Sequence, residues 1–173
     1  MENIDILKRL RYALDIKDSD MAEIFKLGGV TLSKADVQDL LKSSDSIDAA
    51  ATKKDSPSPV NHICNSHMLE SFLNGFIIFK RGKKEPKPGE SGESNFMIKD
   101  DRNVNNVFLK KVKIALAFTG DDMLAAFKAG GAELSNGELS ALLRREGQRN
   151  YKVCGDRYVR VFLKGLAERC RKK

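Results

Sequence analysis

Residues 7–42 read LKRLRYALDIKDSDMAEIFKLGGVTLSKADVQDLLK, and residues 109–144 read LKKVKIALAFTGDDMLAAFKAGGAELSNGELSALLR. Overlaid without a gap, at an offset of 102, the two stretches share 14 identities in 36 positions, among them Leu7, Ala13, Met21, Phe25, Gly28, Gly29, Ser33 and Leu40. Arg9/Lys111, Arg11/Lys113, Asp36/Glu138 and Val37/Leu139 keep their chemistry. A second block repeats at an offset of 90: Cys64 meets Cys154, and Phe72-Leu73-Asn74-Gly75 meets Phe162-Leu163-Lys164-Gly165. The chain is a tandem duplication, and each copy serves as a control for the other. What both retain reports fold, and what one alone carries is a candidate for function.

Periodicity inside the repeat gives the fold class. Leu7, Leu10 and Leu14 follow the 3/4 spacing of a helix face. A short second helix over 20–27 ends at Gly28-Gly29, and Ser33 with Asp36 forms a capping-box pattern that opens a third. A fourth runs from Ser66 to Lys80, with Met68, Leu69, Phe72, Leu73 and Phe76 as its core face. The second copy repeats this plan at 104–118, 121–129, 136–146 and 156–171, with Ser135 and Glu138 as its capping box. Alternating strand patterns are absent. The expected fold is all-α: two tandem, similar four-helix units with about eight helices. The N-terminal repeat spans 1–82, a Pro/Gly-rich linker 83–101 and the C-terminal repeat 102–173. Within the linker, Phe96-Met97-Ile98 is an apolar segment suited to docking on a repeat, and residues 43–61 read as a flexible linker inside the first copy. Each copy is marginal in size for a core of its own, so the copies are expected to pack together.

Charge separates the copies. The chain of 173 residues carries a net +7. Residues 1–82 hold 11 Lys/Arg against 12 Asp/Glu, a net −1, whereas residues 102–173 hold 16 against seven, a net +9. A basic C-terminal half points to a polyanionic partner: DNA or RNA, or an acidic protein. The opening residues do not resemble a signal peptide, no apolar run approaches a membrane span, and the cysteines number three. These features predict a reduced protein of the cytoplasm with no membrane association. They leave the oligomeric state open.

The segments around Ser71 to Phe76, Lys80-Arg81-Gly82-Lys83, Asn105 to Ile114, Asp121 to Leu124, Cys154-Gly155-Asp156 and Phe162 to Leu166 together resemble the YehS-like family. That family comprises bacterial proteins of unknown function built from a tandem duplication. The resemblance spans the chain except the linker at 43–61. It implies a cytoplasmic bacterial protein and agrees with a helical fold, and it brings no catalytic or binding residues.

The residues offer little to an enzyme. Cys64 and Cys154 precede helix starts, where a thiolate gains from the helix dipole, but no shared base accompanies them. Their equivalence reads as buried structural thiols, and Cys170 as a lone thiol at a helix edge. His62, Cys64 and His67 lack the spacing and fourth ligand of a zinc site. Gly28-Gly29 and Gly130-Gly131 read as helix caps rather than phosphate loops, since neither continues into a phosphate-binding signature. No cofactor, metal or catalytic residue is assigned. Residues 121–146 share the outline of a helix-turn-helix, with a turn longer than usual. The sharper signal is the last helix, where Arg157, Arg160 and Lys164 share one stripe opposite Val159, Phe162, Leu163 and Leu166. Arg144, Arg145, Arg149 and Lys152 precede it. In copy 1 the stripe reads His67, Glu70 and Asn74, so the fold does not require it. The expected function is a non-enzymatic nucleic-acid-associated module acting through these seven cations. The alternatives are a protein-interaction or oligomerisation module and an enzyme with an unrecognised site between the repeats.

Overall fold

A computed structural model describes residues 3–42, 66–82, 98, 103–144 and 147–171. The described residues form eight helices and no strand: α1 (Asn3–Leu14), α2 (Asp18–Leu27), α3 (Lys34–Lys42), α4 (Ser66–Arg81), α5 (Val104–Ala115), α6 (Gly120–Ala129), α7 (Asn136–Leu143) and α8 (Asp156–Arg171). They fall into two sets of four that correspond by the 102 and 90 offsets. The linkers at 43–61 and 83–101 lie outside the described residues apart from Ile98, which packs half-buried against the core.

Local chemistry sets the helix boundaries. Ser33 and Asp36 close a full capping box, each side chain accepting the other's backbone N–H at 3.1 and 3.0 Å. Thr119 and Asp122 do the same for α6. At α7 only Ser135 caps, accepting from the Glu138 N–H at 3.1 Å. α2 starts at Asp18 rather than at 20, and no side chain caps it; Asp18 instead pairs across helices. It accepts from Arg11 at 2.6 Å and Gln38 at 3.0 Å. α5 stops at Ala115 and not 118, because Ala117 turns to a φ of 53°. Its counterpart Asp15 has the same φ, so the bend belongs to the repeat. α7 ends at Leu143, short of 146, where Arg144 becomes extended.

Each copy brings its second and fourth helices together through glycine. A Cβ on Gly28 would lie 1.8 Å from the Ser71 carbonyl oxygen, and one on Gly75 would lie 1.9 Å from that of Ile24. In the second copy Gly130 approaches Val161 O and Gly165 approaches Ala126 O, at 2.0 and 1.7 Å from the same imagined Cβ. The following residues, Gly29 and Gly131, adopt φ of 96° and 104° and turn the chain out of the helix. Beneath the two crossings lie matching ring pairs, Phe25–Phe72 at 5.0 Å and Phe127–Phe162 at 5.4 Å.

The first helices cross over. α1 packs chiefly on α8 of the other copy, and α5 packs chiefly on α4, so buried residues from both copies join one hydrophobic core. A pair of hydrogen bonds records the reciprocity. Arg81, at the end of α4, donates to the Ile114 carbonyl at 3.4 Å, and its counterpart Arg171 donates to the Tyr12 carbonyl at 2.8 Å. Each bond adds a cationic donor to a carbonyl of the last helical turn that also accepts a backbone N–H, from Ala117 and Asp15 respectively, and the helix dipole favours a cation there.

Candidate functional site

The two reciprocal crossings share a backbone plan and differ in chemistry. At the α4–α5 crossing, Lys111 is buried and donates through Nζ to Asn74 Oδ1. Burial pulls the Lys111 amine down to about 8, the buried carboxylate of Glu70 pushes back, and Lys110 lowers it further. Glu70 also accepts the Ile98 N–H through both carboxylate oxygens, at 3.0 and 3.1 Å, which ties the second linker to α4. A cation, a carboxylate and an amide thus meet inside the protein.

At the α1–α8 crossing the repeat places Arg9 where Lys111 stands, Arg160 in place of Glu70 and Lys164 in place of Asn74. All three are exposed. A groove of about 510 Å³ opens there, lined by Lys8 and Arg9 of α1 and by Lys164 and Arg171 of α8. Arg171 is held in place by its bond to Tyr12 O and lies 4.2 Å over the Tyr12 ring, which is itself 62% exposed.

Arg157, Arg160 and Lys164 therefore lie exposed on α8, with Lys164 at the rim of the α1 contact. Sequence reasoning missed Arg9, Lys8 and Tyr12, which the fold brings to α8 from the opposite end of the chain. The only prior signal was their equivalence to Lys111, Lys110 and Ile114. Arg144, Arg149 and Lys152 are exposed in the segment before α8, and Arg145 lies outside the described residues. Arg144 donates to the Arg149 carbonyl, and the Lys152 amine lies 5.6 Å over the Tyr158 ring. Asn106 of α5 fixes this segment: it is buried, donates to Leu142 O at 2.9 Å and Lys152 O at 2.8 Å, and accepts the Cys154 N–H at 2.9 Å. Asn105 adds bonds to Cys154 O and Asp156 at 3.0 and 2.9 Å.

Other candidates fall into place around this surface. Cys154 is buried, and burial, with Asp156 nearby, pushes its thiol up to about 12. A thiol held protonated is a poor nucleophile. Cys170 is exposed, and His62 and Cys64 lie outside the described residues. Among the described residues no group of three His, Cys, Asp or Glu side chains could hold a metal ion. α7, the second helix of the helix-turn-helix outline, contains no Lys or Arg and exposes Glu138, so it is not equipped to lie against phosphates. None of the described helices is long and apolar enough to cross a membrane.

Comparison with known proteins follows the duplication. The family described as "Protein of unknown function (DUF1456)" matches the chain over residues 3–82 and again over 105–172. The "Uncharacterized protein YehS" of Escherichia coli (strain K12) is 32% identical over 166 residues, which cover 95% of this chain and 94% of that protein. No solved structure matches the chain.

Proposed function

The chain belongs to the family of unknown function DUF1456, and on that footing we propose that it is a non-enzymatic module that associates with nucleic acid through the cations of its second repeat. The observation that carries this reading is the exposed series Arg157, Arg160 and Lys164 on α8, set against the buried Glu70 and half-buried Asn74 at two of the equivalent places in α4. The equivalent helix of copy 1 is built without those cations, and on α8 all three are exposed, so core packing does not account for them. Arg144, Arg145, Arg149 and Lys152 extend the charge along the preceding segment. Binding of this kind is directed at the phosphate backbone, because cations on a helix face contact phosphates without reading base edges.

The test is a salt titration on duplex DNA with the full chain. Each phosphate contact contributes roughly −0.9 to the slope of log affinity against log salt. Replacing Arg157, Arg160 and Lys164 together by Glu is expected to weaken binding on all sequences alike and to flatten the slope by about three units at most. Because the copies share one core, the control is a charge reversal elsewhere in the intact chain and not an isolated repeat. Absence of salt-dependent binding to DNA or RNA at low ionic strength refutes the proposal. An acidic protein captured by the parent and lost by the triple variant, with no nucleic-acid binding, replaces it with the interaction-module reading.

A further inference from the structure

We infer that the groove between α1 and α8 binds a phosphorylated nucleotide, with its phosphates between Arg9 and Lys164 and its base or sugar against Tyr12. The argument starts from the other crossing, where the fold fills the same place from within. There Lys111 meets Asn74, and Glu70 supplies the negative charge. At the α1–α8 crossing both acceptor positions have become cations, Arg160 and Lys164, while the facing position stays cationic as Arg9. Among the groove's lining residues Lys8, Arg9, Lys164 and Arg171 stand against one carboxylate, Glu168, with Asp15 a further 3.9 Å from Arg171 at the edge. Like charges gathered at one site repel, and an anion with several oxygens relieves that repulsion while making charge-assisted hydrogen bonds.

The rest of the groove narrows the class of anion. Its volume of about 510 Å³ lies within the range of small-molecule sites and exceeds what a bare phosphate fills. Leu163 and Ala167 give it an apolar floor, and the exposed Tyr12 ring supplies an aromatic surface of the kind on which nucleobases stack. The Arg171 guanidinium lies over this ring at 4.2 Å and also donates to the Tyr12 carbonyl, so a base packs on the ring area that Arg171 leaves exposed, beside a cation. The ligand is either a free nucleotide or the phosphorylated end of a nucleic-acid strand, since both present the same group. The site shares Lys164 with the surface proposed above and stands without it, because half of its cations come from the N-terminal repeat.

The experiment titrates the intact protein at low ionic strength with a fluorescent ATP analogue in one arm. A short single-stranded oligonucleotide, with and without a 5′-phosphate, forms the other arm. The expected result is binding in at least one arm, weakened about tenfold to a hundredfold by Arg9→Glu and equally by Lys164→Glu. Lys26→Glu, the same charge change on an exposed residue of α2, is expected to leave it within about twofold. Preference for the ATP analogue identifies a free nucleotide, and preference for the phosphorylated oligonucleotide identifies a strand end. Failure of all probes to bind, or binding indifferent to Arg9→Glu in a variant that keeps its helical circular dichroism, overturns the inference. Duplex binding in the salt titration with no binding of the ATP analogue or the oligonucleotides removes the groove and leaves the surface proposal standing. Nucleotide binding without duplex binding does the reverse.

Discussion

Replacing Gly165 by Ala tests the packing that both copies share, and the expected sign is opposite to that of helix propensity. In the interior of an exposed helix the change favours folding by about 0.8–1 kcal/mol. Here the added Cβ would sit 1.7 Å from Ala126 O and 2.8 Å from both Ala126 C and Gly130 N, all backbone atoms that cannot rotate aside. To reach ordinary contact, α6 and α8 must move apart by more than an ångström, which loosens the Phe127–Phe162 contact below them. Overpacking of this kind costs about 3 kcal/mol at the upper end of its usual range. The net effect is a loss of about 2 kcal/mol. For a chain of this size that lowers Tm by roughly 4–8 °C. Gly75→Ala is expected to behave alike, since its Cβ would meet Ile24 O at 1.9 Å. Gly137→Ala in α7 is the control: it is exposed, its nearest neighbour is Ser135 Oγ at 3.9 Å, and it should gain about 0.4–1 kcal/mol. Thermal melts followed by far-ultraviolet circular dichroism read all three. A Gly165→Ala protein that melts at or above the parent temperature refutes the close-crossing argument.

Asn106→Ala removes three hydrogen bonds to backbone and strands buried groups of Leu142 and Cys154, so chemical denaturation should show a loss of about 2–4 kcal/mol. The Cys154 thiol has its folded pKa raised to about 12 from an ordinary 9.0, so its contribution to stability is complete below pH 9 and is lost as pH rises from about 9 towards 12. The deficit of Cys154→Ala relative to the parent should therefore shrink by about 2 kcal/mol between pH 8 and pH 10.5, as read by urea melts. Taking the difference between parent and variant cancels the Lys111 amine, whose depressed pKa of about 8 acts in the opposite direction. A deficit that is flat with pH refutes the buried-thiol account.

Helices were legible because their signals are local. Leu7, Leu10 and Leu14, the Ser33–Asp36 box and the Gly28-Gly29 stop each act within a turn or two of chain. The partner of each apolar face was not legible. Periodicity says that α1 has such a face, and nothing in its spacing says that α8 rather than α4 covers it. The glycines show the same division. Gly130 was readable as a helix end, but its close approach to α8 depends on a contact with Val161 that only the fold creates. At the candidate site, helical geometry sets Arg157, Arg160 and Lys164 opposite the apolar face, but their exposure is a property of the fold, since Glu70 at the place equivalent to Arg160 is buried. Arg9 belongs to the same surface and lies in the copy whose net charge is −1, so a half-by-half charge count directs attention away from it. The inequality of the two crossings needed both the repeat alignment and the structure, because Glu70 and Arg160 are equivalent in sequence and only the fold shows that Glu70 is enclosed.

The exchange of first helices also dictates when this protein can finish folding. During synthesis α1 leaves the ribosome well before α8, with 141 residues between Leu14 and Asp156. At roughly 5–20 residues per second that interval lasts on the order of 7–28 s. Until it ends, Ile6, Leu7, Leu10 and Ala13 have no α8 to cover them, whatever local helix they have formed. Over that interval the nascent chain carries an apolar stripe without its main partner, and α1 is completed only by α8.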